Sequence, residues 1–116
     1  MKEYRVIFHL DEYNGVQIAT LLNNIENLIA DLGEDNVQIE VVAIAEGVNA
    51  LLKHPNSHTD QIISLAAKGV YFTVCSIAVC QAGLSRDKLL APIDIVPSGI
   101  GELVKRQNQG WVYIRP

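Results

Sequence analysis

The sequence predicts an α/β protein with a mostly parallel sheet, because short apolar runs alternate with segments of helical periodicity along the chain. Its 116 residues, 49% of them hydrophobic, suit one domain with a substantial core. The predicted connections are short, and the sequence contains no internal repeat or interdomain linker. We therefore expect residues 1–116 to form a single domain with right-handed crossovers.

The first half of the chain has the most regular pattern. Tyr4–Leu10 is rich in β-branched and aromatic residues and predicts a buried strand, which residues 11–15 (DEYNG) end as a turn. One apolar stripe runs from Ile18 to Leu32 at helical spacing, and Gly33 follows where a helix would end. Val37–Ala45 then predicts a second strand.

The second half repeats the alternation and brings the predicted number of strands to five. Pro55 and its neighbours interrupt the helical pattern between two short segments. The predicted elements are a helical turn at Gly47–Leu52, helices at Asp60–Lys68, Ser76–Leu84 and Ser98–Gln109, and strands at Val70–Cys75, Ile93–Val96 and Trp111–Ile114.

Charge and composition exclude several classes of partner. The net charge is −4 and no run of basic residues offsets it, so we expect no nucleic-acid or anionic-membrane binding. The N-terminus lacks the pattern of a signal peptide, and no apolar run approaches the ~18 residues of a membrane helix. Two cysteines without an export signal suggest reduced thiols and a cytoplasmic protein.

Cys75 is the residue that we expect to carry any chemistry. Ligands of open parallel sheets bind at the carboxyl ends of the strands, and Cys75 closes the third strand where a helix begins. Helix-start N–H groups favour a thiolate, which is the nucleophilic form of cysteine. The alternative is a small buried apolar side chain. Cys80 shares a helical stripe with Ile77 and Leu84, which predicts a core position.

Other polar or flexible residues follow the strand ends. Ser98 is a suitable helix N-cap, and the glycines after it could present N–H groups to an anion, although a capped tight turn explains them too. His54 and His58 flank Pro55, so a helical metal site is not expected, and His9 suits a sheet position better than a catalytic base. No paired-carboxylate motif stands out. The candidate binding residues are Ser76, Ser98, Gly99, Ile100, Gly101, Glu46 and Asn49.

Several segments resemble one known family. The runs NVQIEVVA, GVYFTVC and above all SGIGELVKRQNQGW are similar to those of the DsrE/DsrF-like (DsrEFH-like) family over nearly the whole chain. The resemblance implies a three-layer α/β/α fold with a five-stranded parallel sheet, and homo-oligomers, commonly trimers or hexamers. Some relatives are sulfur-relay proteins in which a cysteine matching Cys75 accepts a persulfide sulfur.

The sequence is therefore compatible with two functions. In the first, Cys75 is the acceptor of a persulfide carrier or sulfurtransferase-like protein, which exchanges sulfur with a donor or acceptor protein and needs no metal or organic cofactor. In the second, the chain is a non-catalytic oligomeric module that binds a small anion or a protein partner. Many relatives have a polar or histidine-containing turn after the second strand, where this chain has Ile44-Ala45-Glu46-Gly47. Many also have an Asn-Thr pair after the cysteine, where this chain has Ser76-Ile77-Ala78. These altered neighbours favour the second function.

Overall fold

A five-stranded parallel sheet organises the computed structural model, which describes residues 2–116. The strands are β1 (Tyr4–Leu10), β2 (Val37–Ala43), β3 (Tyr71–Cys75), β4 (Asp94–Val96) and β5 (Val112–Ile114). Their order is β4-β3-β2-β1-β5, so β1, β2 and β3 are central and β4 and β5 are the edges. All four pairings are parallel, as the alternating sequence pattern predicts.

Helical segments connect the strands. The α-helices are α1 (Gly15–Leu32), α2 (Thr59–Ala67), α3 (Ser76–Gln81) and α4 (Gly99–Asn108), and 3-10 helices span Ala45–Leu51 and Arg86–Lys88. The Asn14 side chain caps α1 by accepting hydrogen bonds from the N–H groups of Val16 and Gln17. Gly33, with a φ of 96°, ends the same helix. No helix within residues 2–116 is long and apolar enough to cross a membrane.

The helices form two unequal layers. On one face of the sheet, α1, α2 and α3 bury a large apolar cluster that includes Phe8, Ile25 and Phe72. On the other face, α4 covers a small cluster whose buried members are Ile7, Val42, Val96, Leu103 and Trp111. The predicted three-layer α/β/α architecture is therefore confirmed, with only one helix in the thinner layer.

Two predicted elements extend two or more residues beyond their observed ends. The second strand ends at Ala43 rather than Ala45, because Ala45 has a φ of 53° and begins a 3-10 helix. The third α-helix ends at Gln81 rather than Leu84, and the chain then reverses through Gly83, which has a φ of 70°.

The predicted core position of Cys80 is wrong. In α3, Ala78 and Val79 are buried, whereas Ile77 and Cys80 are exposed. The stripe that Cys80 shares with Ile77 therefore lies on the solvent side of the helix. Cys75 and Cys80 are both free thiols.

Gly47 is a position where the fold requires the absence of a side chain. A β-carbon there would lie 2.8 Å from the Leu10 carbonyl carbon and closer still to its oxygen. We expect Gly47→Ala to lower the free energy of unfolding by about 2–3 kcal/mol in urea denaturation, because a backbone group must move. Gly15→Ala is the matched control, since nothing lies within 4 Å of its β-carbon position. Equal effects of the two substitutions would contradict the prediction.

Candidate functional site

Cys75 lies at the carboxyl edge of the sheet, as the last residue of β3 and the residue preceding α3. It is only 5% exposed and belongs to the larger apolar cluster. A β-carbon built on Gly99 would lie 3.1 Å from the Cys75 Cβ and 2.7 Å from the Ile44 Cδ1. The amino end of α4 therefore packs closely against the Cys75 β-carbon and the Ile44 side chain.

The loop before α4 acts as a helix cap. The Ser98 hydroxyl accepts a hydrogen bond from the Gly101 N–H at 3.0 Å, and the Ser98 carbonyl accepts one from the Glu102 N–H at 2.9 Å. The Gly101 N–H, one of the groups predicted to face an anion, is thus used inside the helix start. Ile100 points away from the sheet and is 58% exposed.

The remaining predicted residues flank Cys75 on other elements. Ser76 is exposed at the start of α3. Glu46 and Asn49 lie on the 3-10 helix Ala45–Leu51, where the Asn49 amide donates a hydrogen bond to the Glu46 carbonyl at 3.1 Å. Of the predicted set, the structure brings Gly99 into contact with Cys75. None of five surface cavities within residues 2–116 is lined by Cys75.

A buried ionic cluster between the sheet and α4 is the main feature that the sequence did not predict. The Arg106 Nε donates to Glu40 Oε1 at 2.8 Å and to Glu102 Oε2 at 3.2 Å. The Thr73 hydroxyl lies 3.1 Å from Glu40 Oε2. The Arg106 guanidinium also lies over the Trp111 ring, 4.6 Å from its centroid. This Glu40–Glu102–Arg106 cluster corrects the expectation that no carboxylates are paired.

The Glu40 carboxyl is the most strongly perturbed group of the cluster. Complete burial, followed by the adjacent Glu102 carboxyl, raises its pKa from 4.5 to about 8. The Arg106 guanidinium and the Thr73 hydroxyl oppose this shift. At neutral pH the Glu40 carboxyl is therefore mostly protonated, and its Oε1 accepts a hydrogen bond from the Arg106 Nε.

A second polar network lies at the ends of β1 and β5. His9 Nδ1 is 2.7 Å from the Tyr113 hydroxyl, and Arg115 binds both carboxylate oxygens of Asp11 at 3.1 and 2.8 Å. Burial lowers the pKa of His9, although the nearby Asp11 opposes the shift. His9 is thus a satisfied sheet residue, as expected. The part of the chain described has no group of three or more His, Cys, Asp or Glu side chains suited to a metal ion.

Only weak sequence signals mark the ionic cluster. Glu102 and Arg106 have the i, i+4 spacing of a helical ion pair. Glu40 is the one acidic residue of Val37–Ala45, and it directly precedes the continuously apolar run Val41–Ala45. Because 66 positions separate Glu40 from Arg106, their contact follows from the packing of α4 on the sheet and not from local spacing.

Fold and site together define a three-layer parallel α/β protein with a cysteine at a central strand end. The sequence profile of the DsrE/DsrF-like family matches residues 5–116, so the chain belongs to that family. A solved protein of unknown function from Methanobacterium thermoautotrophicum, MTH1491, is 42% identical, with a TM-score of 0.93, over 97% of this chain and 99% of that one.

More distant similarity supports the fold alone. The ychN protein from E. coli matches all of both chains with a TM-score of 0.81 but only 15% identity. No curated protein matches the chain.

Protonation of the ionic cluster predicts a specific pH dependence of stability. The pKa of Glu40 is higher in the folded chain than in the unfolded one. Protonated Glu40 therefore contributes to the free energy of unfolding below pH 4.5, and this contribution is lost as pH rises toward 8. Glu40→Gln stays neutral at every pH. Between pH 5 and pH 8 we expect its free energy of unfolding to rise by roughly 2–5 kcal/mol relative to that of the wild type.

Urea denaturation at several pH values measures this difference. Glu3→Gln is the matched control, because the Glu3 side chain is exposed. A constant difference in stability between Glu40→Gln and the wild type across that range would contradict the assignment.

Proposed function

We propose that the protein acts in sulfur relay, with Cys75 as the acceptor of a persulfide sulfur. The observation that carries the proposal is the convergence of two helix starts on this cysteine. Cys75 immediately precedes α3, and Gly99, the first residue of α4, packs on its β-carbon. Helix N-termini stabilise nearby negative charge, as a sulfur nucleophile requires. Membership of the DsrE/DsrF-like family, in which sulfur-relay proteins occur, supports the same function.

The sulfur transfer is a thiolate–persulfide exchange, which needs no oxidant, metal or cofactor. The Cys75 thiolate attacks the outer sulfur of a donor persulfide, R–S–SH. A new sulfur–sulfur bond forms on Cys75 while the donor's sulfur–sulfur bond breaks. The donor leaves as the thiolate R–S⁻, and Cys75 carries the persulfide until an acceptor thiolate reverses the exchange.

The burial of Cys75 sets a condition on this chemistry. At 5% exposure the sulfur must be uncovered before a donor persulfide reaches it. Cys80, which is exposed on α3, provides an internal comparison. A reagent that responds to exposure alone modifies Cys80 first, whereas a specific donor transfers its sulfur to Cys75.

Sulfur transfer is tested with single-cysteine variants. After incubation with glutathione persulfide, we expect Cys80→Ser to gain the mass of one sulfur atom on Cys75, and Cys75→Ser to gain little. Peptide mass spectrometry after alkylation locates the added sulfur. Unfolded Cys80→Ser serves as the positive control for reactivity. Modification of Cys75 only after unfolding, with Cys80 modified in the native protein, would refute sulfur relay through Cys75.

The second candidate is a non-catalytic module that assembles into homo-oligomers, and a different observation favours it. Ile100 and Val104, one turn apart on α4, are 58% and 61% exposed although they are apolar. They lie on the outer surface of the thinner layer, where another copy of the chain would bury them. In this function the covered Cys75 contributes packing and no chemistry.

Sedimentation velocity tests assembly through this surface. We expect the wild-type protein to sediment at several times the monomer mass, and Ile100→Glu to shift it toward the monomer, because a charge would be buried in the interface. Val16→Glu is the matched control, since Val16 is 78% exposed on α1, in the opposite layer. A wild-type protein that remains monomeric at micromolar concentration would exclude this assembly.

A further inference from the structure

Helix α4 is attached to the sheet in a different way from the other helices. The opposite layer packs through a continuous apolar cluster, whereas the cluster beneath α4 has five buried members. Polar contacts supply much of the remaining attachment, and they concentrate on Arg106. Elements with few buried apolar contacts open locally at lower free energy than the core. On this basis α4 is the helix that leaves the sheet most readily.

The two ends of α4 have distinct roles. Its amino end covers Cys75 through Gly99. Near its carboxyl end, Arg106 contacts Glu40 of β2, Glu102 of its own helix, and Trp111 just before β5. One side chain thus joins the helix to the sheet and to the following segment. Because a helix moves as a rigid element, loss of the Arg106 contacts also loosens the contact over Cys75.

We propose that α4 is a gate over Cys75 and that Arg106, held by Glu40 and Glu102, is the positioning residue that keeps the gate closed. Local detachment of α4 uncovers the side of Cys75 that faces Gly99, while the larger apolar cluster, to which Cys75 also belongs, stays packed. The inference that this gate regulates sulfur transfer rests on the proposed function. The inference that it controls access to Cys75 rests only on the contacts of Gly99 and Arg106.

The substitution Arg106→Lys gives the sharpest test because it keeps the positive charge. An ammonium group cannot reproduce the planar guanidinium that bonds to two carboxyl groups while lying on Trp111. In a Cys80→Ser background, Cys75 is the sole thiol. We expect Arg106→Lys to raise the rate of Cys75 alkylation by N-ethylmaleimide about tenfold under native conditions. Low urea concentrations should change this rate little, because local opening exposes little surface.

Two controls separate the gate from general destabilisation. Lys105→Ala removes a charge from the adjacent, exposed position of α4. Ile25→Val lowers global stability by about 1 kcal/mol from the fully buried core of the opposite layer. We expect neither to reproduce the effect of Arg106→Lys. An unchanged rate in Arg106→Lys, or an equal increase in Ile25→Val, would overturn the gate.

Persulfide loading of the same variants distinguishes the two proposals. Faster alkylation of Arg106→Lys without any sulfur adduct on Cys75 would support the gate and refute sulfur relay. If Cys75 is loaded with sulfur but Arg106→Lys changes neither the alkylation rate nor the loading rate, sulfur relay is supported and the gate is refuted. If Arg106→Lys accelerates both reactions, both proposals are supported.

Discussion

The close contact between α4 and the sheet depends on the missing side chain of Gly99. A β-carbon at this position would enter the space of Ile44 and press on Cys75, so any larger residue would move the start of the helix. The same contact places the N-terminus of α4 against Cys75, which is only 5% exposed. Movement of the helix would therefore change both the surroundings of Cys75 and the access to it.

The two layers are stabilised by different kinds of interaction. The layer of α1, α2 and α3 relies on apolar burial, which is strong and non-directional. The α4 layer places Glu40, a carboxyl with no exposed surface, opposite Arg106. A buried polar contact of this kind adds little net stability compared with apolar side chains, but removal of one partner leaves the other unsatisfied and is costly. The observed position of α4 lets the Arg106 Nε bond to Glu40 and Glu102 at once.

The sequence predicts the sheet well because strand formation has local signals. Turn residues and glycines bound each apolar run, so all five strands and the position of Cys75 at a strand end could be derived. The solvent-facing side of α3 could not be derived, because six residues complete fewer than two turns and leave the face of Cys80 undetermined. The burial of Cys75 and the pairing of Glu40 with Arg106 depend on how α4 docks, and local periodicity carries no information about docking.

The burial of Glu40 also determines which solution conditions reach this interface. Mobile ions screen charges that contact water, such as the exposed Arg115 and its partner Asp11. They act weakly on a carboxyl that has no solvent-accessible surface. Ionic strength should therefore weaken the Arg115–Asp11 pair more than the contact between Arg106 and Glu40, in which Glu40 has no exposed surface.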